Sequence, residues 1–364
     1  MQNNNSKFNF FLILWLLPIV VVSLILITVL YYHYGFQVSL ENLEAEKEYL
    51  IVGENQEVVA ESPRVTLLAV GDIMLSRNVG SKMFKFNDYT LPFSNTWELL
   101  MIADITFGNL ESPFYNQGPR STQGMVFKAE PQAVEGLNLA GFDVLSLANN
   151  HTLNQGIKGL DYTLEYLAEN DIQSIGAGRD FSEAHQPAII IAEDTTFGFL
   201  AYSYADYNDS AGQQYVVAGL DIEQAKKDIK GVRDEVDILI VSMHAGTEYV
   251  TQPNWQQEGF ARAVIEAGAD LVIGHHPHWP QIIEQYQDKW IFYSLGNFVF
   301  DQEWSQETKE GLILQAVWQD RELQELKLIP IIVEDYSTPR LANSVESEKI
   351  MKQIGLNSEV VFQK

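Results

Sequence analysis

Hydrophobic and polar positions divide the chain into two regimes. Residues 10–32 form one long, predominantly apolar run, and no Asp, Glu, Lys or Arg occurs from Phe8 to Leu40. At a rise of ~1.5 Å per residue, such a run crosses a ~30 Å hydrocarbon core with some tilt. It predicts an uncleaved transmembrane anchor over 10–32. A signal peptide would have an apolar stretch of ~7–15 residues and a small-residue cleavage site, which the sequence after Leu30 does not offer. Tyr31, Tyr32 and Tyr34 form an aromatic belt at the far end of the span.

From Arg64 onward the pattern changes. Short β-rich apolar runs at 65–70, 102–107, 144–147, 188–191, 197–202, 237–243, 270–273, 290–293, 311–318 and 326–333 predict strands. Helical spacing marks 158–169, where Leu160, Leu164 and Leu167 share one face. It also marks 222–232 and 255–267, the latter ended by Gly268. The alternation predicts an α/β domain, layered α–β–β–α, over 64–335. Residues 1–9 are expected as a cytoplasmic tail, 33–63 as a Glu-rich stalk and 336–364 as a polar, peripheral tail.

Charge adds an orientation. Only Lys7 and the α-amino group precede the apolar run, whereas Glu41, Glu44, Glu46 and Glu48 follow it against one Lys47. The positive-inside rule therefore places the carboxyl-terminal domain outside the cytoplasm, on a single-pass protein of the cell membrane. Over all 364 residues, 49 acidic and 23 basic side chains give a net charge of −26. That balance excludes generic nucleic-acid binding, which needs Lys and Arg to displace phosphate counterions. The chain has no cysteine. Disulfides, thiolate zinc sites, iron–sulfur clusters and cysteine nucleophiles are therefore excluded, and any metal must be held by His, carboxylate or amide ligands.

Most of the unusual polar residues stand just after the apolar runs, where open α/β sheets collect ligands. Five of the seven histidines, His151, His244, His275, His276 and His278, lie in these clusters. Asp72 and Glu111 offer oxygen ligands, Asn150 an amide oxygen, and His244, His276 and His278 imidazole nitrogens. A mixed N/O set suits Zn, Mn or Fe better than Ca or Mg. His151, beside Asn150, is the candidate catalytic acid, with a pKa near working pH. Arg77, Asn109, Glu248, His275 and Asn297 are the candidate substrate contacts. His276-Pro277-His278 is expected to be stiff, because Pro277 fixes its own φ and keeps His276 out of the helical region. Gly71, Gly108, Gly274 and Gly296 are expected at backbone conformations that need glycine. Asn149 and Asn150 also read as caps of the following helix.

The blocks VGDIM, GNLE, LANNH, HAGTEY, GHHPH and FYSLGNFVFD, in that order from Val70 to Asp301, resemble the CapA family of poly-γ-glutamate capsule synthesis proteins. The resemblance implies a four-layer αββα sandwich akin to calcineurin-like metallophosphatases. By similarity, Asp72 falls at the first metal-binding Asp and Glu111 in the block of the bridging carboxylate. Asn150 and His151 fall at the ligand–acid pair, and His244, His276 and His278 at the later ligands. Three positions depart from the metallophosphatase pattern. Met74 replaces a His, Asn109 replaces an Asp, and one extra residue makes His275 and His276 rivals for one place. These departures imply a mononuclear or altered site for a divalent metal.

The family resemblance implies a role in synthesis or export of poly-γ-glutamate, with membrane synthase subunits, the polymer and the lipid bilayer as partners. A metal-dependent hydrolase of phosphoesters or of the γ-glutamyl polymer, and a non-catalytic envelope binding module, are the alternatives the residues leave open.

Overall fold

Several apolar runs are continuous rather than alternating because their strands are parallel and buried on both faces. A computed structural model describes residues 62–204 and 216–364. The anchor expected over 10–32, the tail before it and nearly all of the stalk lie outside these residues. Among the described residues no helix is long and apolar enough to cross a membrane.

The strands are β1 (Arg64–Ile73), β2 (Ile105–Leu110), β3 (Val144–Ser146), β4 (Gln173–Ile175), β5 (Ala188–Ala192), β6 (Thr195–Ser203), β7 (Ile238–His244) and β8 (Leu271–His275). They continue with β9 (Ile283–Tyr286), β10 (Lys289–Phe292), β11 (Asn297–Val299), β12 (Glu310–Gln319), β13 (Glu322–Glu334), β14 (Thr338–Leu341) and β15 (Val360–Gln363). One sheet runs β14-β13-β12-β1-β2-β3-β4, with β11 paired to β1 and β15 to β13; the other runs β5-β6-β7-β8-β10-β9. Strands β1 to β4 are mutually parallel, as are β6, β7, β8 and β10. Their carboxyl ends carry the polar clusters.

The pleat of β1 divides its side chains between two cores. Leu67 and Ala69 join Ile105 and Phe107 in the layer between the sheets, against Phe199, Ile240 and Ile273 of the second sheet. Phe107 and Phe199 stack at 5.8 Å there. Leu68 and Val70 face the other way, toward Leu137 and toward Leu160, Leu164 and Leu167 of the helix Gly156–Glu169. The far face of the second sheet is covered by the helices Ile222–Val232 and Trp255–Ala267 through Ile229, Phe260 and Val264. The result is four layers, helix–sheet–sheet–helix.

Three expectations shift. The strand read at 102–107 runs instead from Ile105 to Leu110, and Ile102 is 75% exposed in the turn before it. The segment after Asp335 is not peripheral: β14 and β15 extend the first sheet, and the helix Ser344–Gln353 inserts Ile350 and Met351 between the sheets. Its few apolar residues are all that a helix sealing one end of a core needs. The glycine requirement at Gly71 and Gly274 comes from close backbone approach. A Cβ there would meet the Gly296 carbonyl at 1.9 Å or the Tyr293 carbonyl at 2.0 Å.

Candidate metal centre

The two sheets bring Asp72 from the end of β1, Glu111 just past β2 and His244 from the end of β7 into one buried cluster. Their ligand atoms lie within 4.8 Å of one another. All three side chains are sealed from solvent. Glu111 Oε2 is buried without a hydrogen-bond partner. Burial, and then the charge of Asp72, lift the Glu111 carboxyl well above its usual range. An orphaned carboxylate oxygen in a hard–borderline N/O set is the arrangement a divalent metal satisfies. The residues fit such an ion.

The remaining histidines gather on Asp72. His278 Nδ1 lies 3.4 Å from Asp72 Oδ2. It donates to Asn297 Oδ1 at 2.9 Å, because the Asn297 amide nitrogen is committed to Thr308 O and Gln302 Oε1. Burial pulls His278 down, but the Asp72 hydrogen bond and the Glu111 and Asp72 charges outweigh it and raise its pKa to about 9. Conversely, burial pushes Asp72 up, but His275 and His278 outweigh that and hold it well below the usual carboxylate range. His275 Nδ1 is 3.3 Å from Asp72 Oδ1 without hydrogen-bond alignment, and both its ring nitrogens lack partners. The backbone N–H of His276 donates to Asp72 Oδ2.

Pro277 keeps His276 out of the right-handed helical region, as expected, but in a left-handed turn. His276 adopts φ +97° and His278 φ +59°, conformations that cost a non-glycine residue of order 1–3 kcal/mol each. Pro277 excludes the right-handed helical region for its predecessor but leaves this turn open. The turn is pinned by Tyr249, whose N–H donates to the Pro277 carbonyl and whose ring stacks on His278.

Asn150 Oδ1 and His244 Nε2 lie 2.9 Å apart. Asn109 meets the other His244 nitrogen, Nδ1, at 3.2 Å through its amide NH2. His244 Nδ1 is thus an acceptor, and its Nε2–H donates to Asn150. Burial, followed by the neighbouring His276, drives the His244 pKa well down, so the ring is neutral.

His151 Nδ1 stands 3.0 Å from Asn154 Oδ1, which also takes the Phe127 N–H. The ring lies on Phe127 at 3.9 Å. Its Nε2 is 3.9 Å from Glu111 Oε2. The expected pKa near working pH is not what this environment gives. Burial outweighs the Asn154 hydrogen bond and lowers His151 to about 4. Near neutral pH the ring is a base whose free lone pair is on Nε2.

A cavity of about 790 Å³ opens beside this cluster, lined by Asn150, His151, Glu248, Tyr249 and His276. Of the residues expected to contact substrate, Glu248 lines it. Asn109, His275 and Asn297 are fully buried and do not line it, and Asn109 sits within the cluster itself. Arg77 is engaged by Asp301 and lies over the Phe127 ring at 4.8 Å, so its charge is already matched. Sequence reading missed Asn154, whose signal was only its i+3 spacing from His151. It also assigned Asn149 no more than a capping role, whereas Asn149 joins the strand ends at the cluster.

The Bacterial capsule synthesis protein PGA_cap family matches residues 66–302. "Capsule biosynthesis protein CapA" of Bacillus anthracis is 31% identical over 311 residues, 81% of this chain and 74% of that protein. "PGA biosynthesis protein CapA" of Bacillus subtilis is 29% identical over 324 residues, 83% of each chain. Among solved structures, a putative 5'-nucleotidase from Staphylococcus aureus superposes with a TM-score of 0.49 at 15% identity, over 80% of this chain and 58% of that one. A likeness that remote bears on no chemistry. The family match covers β2 to β11, nearly all of β1, the buried cluster and the cavity, and the chain belongs to the PGA_cap family.

Proposed function

We propose that this member of the capsule synthesis family is a membrane-anchored accessory of poly-γ-glutamate synthesis or export, working on the outer face of the cell membrane. The observation that carries the reading is the family match over 66–302, which contains every residue of the buried cluster. Both Bacillus relatives bear names of capsule or PGA biosynthesis proteins. The apolar run at 10–32 and the acidic stretch after it support the anchor and its orientation. In this reading the partners are the nascent polymer, the membrane synthase and export subunits, and the bilayer.

Within that role, the four-layer fold is read as a metallophosphatase-like sandwich with a single altered metal centre. Asp72, Glu111 and His244 would hold the ion, Mn, Zn or Fe by donor type. A divalent ion there supplies Lewis acidity toward a bound carbonyl or phosphoryl oxygen. Asn150 orients His244 from outside the ligand set. His151 Nε2 takes a proton from water or substrate in the cavity, and Glu248 lies on the cavity wall. Metal-dependent hydrolysis, of the γ-glutamyl polymer or of a phosphoester, is the second reading. It is favoured by the unpartnered Glu111 oxygen facing His151. A binding module without turnover is what remains if variants of His151 leave function intact.

The test is genetic. Deleting the gene should abolish cell-bound and secreted poly-γ-glutamate, and returning the full chain should restore it. A deletion strain with normal polymer would reject the role. Protease digestion of intact cells should cleave the carboxyl-terminal domain; protection of that domain would reject the orientation.

A further inference from the structure

The centre of the Asp72, Glu111 and His244 cluster is occupied by a side chain of the protein itself. Asn109 Nδ2 lies 2.9 Å from Asp72 Oδ1, 3.2 Å from His244 Nδ1 and 3.5 Å from Glu111 Oε1. Those are atoms a metal ion would take. The amide cannot present its oxygen instead, because Asn149 fixes its direction. Asn149 Nδ2 donates to the Leu110 carbonyl at 2.8 Å, and Asn149 Oδ1 accepts the His151 N–H at 3.0 Å. Both partners are backbone groups of fixed polarity, so the orientation of Asn149 is determined. Its amide nitrogen also faces Asn109 Oδ1, at 3.2 Å. Asn109 therefore turns its carbonyl to Asn149 and its NH2 into the cluster. The positive end of the amide dipole serves the carboxylate and the imidazole as a weak, uncharged substitute for a cation.

We propose that Asn109 is the gate of this metal centre: its amide and a divalent cation compete for the same place, and the ion enters only when Asn109 turns away. The inference rests on the metal-centre reading above. It explains why both His244 nitrogens are already hydrogen-bonded. When Asn109 withdraws, Nδ1 is released to ligate while Nε2–H stays on Asn150, so the ring needs no reorientation.

The full chain in detergent is titrated with Mn²⁺, followed by electron paramagnetic resonance and calorimetry, as wild type, Asn109→Ala and Asn109→Asp. Alanine removes the competing amide. Aspartate also supplies an oxygen where the NH2 stood. Both variants are expected to bind one Mn²⁺ about 10- to 100-fold more tightly than the wild type, the range typical when a group that tunes a metal site is changed. Adding Asp72→Ala should abolish the gain. If Asn109→Asp fails to fold without metal, Asn109→Ala alone decides. Equal affinity in wild type and variants overturns the gate and leaves the metal centre standing. Binding in no form overturns both. Binding only in the variants supports the gate and rejects a metal-loaded native protein.

Discussion

Asn154 Oδ1 accepts the Nδ1–H of His151 at 3.0 Å, and this contact leaves the cavity-side nitrogen of the ring as a base. Asn154→Asp should raise the His151 pKa from about 4 by about 1 to 3 pH units, because a carboxylate favours the imidazolium. An NMR titration of the ring carbons measures it. Asn154→Leu should leave the midpoint low and let the ring turn; an unchanged midpoint in the Asp variant would mean the contact is absent.

Stability should peak with pH, because the buried histidines pull in opposite directions. His151 and His276 titrate at about 4 in the fold against about 6.5 unfolded, His276 through burial and the charge of His278. Over that interval the unfolded chain binds more protons, so stability rises with pH. His278, at about 9, binds its proton more tightly when folded, so its contribution is full below about 6.5 and is lost as pH rises through about 9. Melting temperature in chelator-treated protein should climb from pH 4 to 6.5 and fall from 6.5 to 9. His278→Gln should remove the fall. A variant that keeps the fall would contradict the assignment.

Arg77 and Asp301 are nearly sealed from solvent, with side chains 14% and 4% exposed. Asp301→Ala should destabilise by about 3–5 kcal/mol, since it leaves a largely buried guanidinium unmatched. The double variant with Arg77→Ala should lose less than the two single losses added together. Urea unfolding provides the cycle. Additive losses would return Arg77 to the list of side chains free for substrate.

The helix Ser344–Gln353 closes the layer between the sheets. Ile350→Ala should cost about 2–5 kcal/mol, while Val345→Ala, at a position 75% exposed, should be near neutral. Equal effects would show that the helix does not pack as described.

Most of the scaffold was legible before the structure, for a physical reason. Parallel strands buried on both faces leave uninterrupted runs such as Ile238–His244, and the helix Trp255–Ala267 announces its end with Gly268. The cluster was legible because strand ends converge, which brought Asp72, Glu111 and His244 together across 172 residues of sequence. Orientation was not legible. Nothing in Asn149 and Asn150 reveals that one holds Asn109 and the other holds His244. Polarity also misled: Asn109 and Asn297 read as substrate contacts, yet both are buried partners of other side chains. The polar tail hid a helix that, of its apolar residues, turns only Ile350 and Met351 inward and leaves Val345 exposed.

Charge bears on the polymer. A chain of net charge −26 and a polycarboxylate repel each other, with screening confining the effect to about 8 Å at physiological salt. If the polymer is the partner, as proposed above, its affinity should weaken as salt is lowered. Binding that strengthens at low salt would reveal a cationic groove and reject this view.

The most direct test is polymer output from a strain whose chromosomal copy carries Asp72→Ala or His244→Ala, with the membrane level of each variant matched to wild type by immunoblot. The cluster-dependent role predicts that secreted poly-γ-glutamate falls to the level of the deletion strain. Wild-type polymer yield from both variants would contradict it.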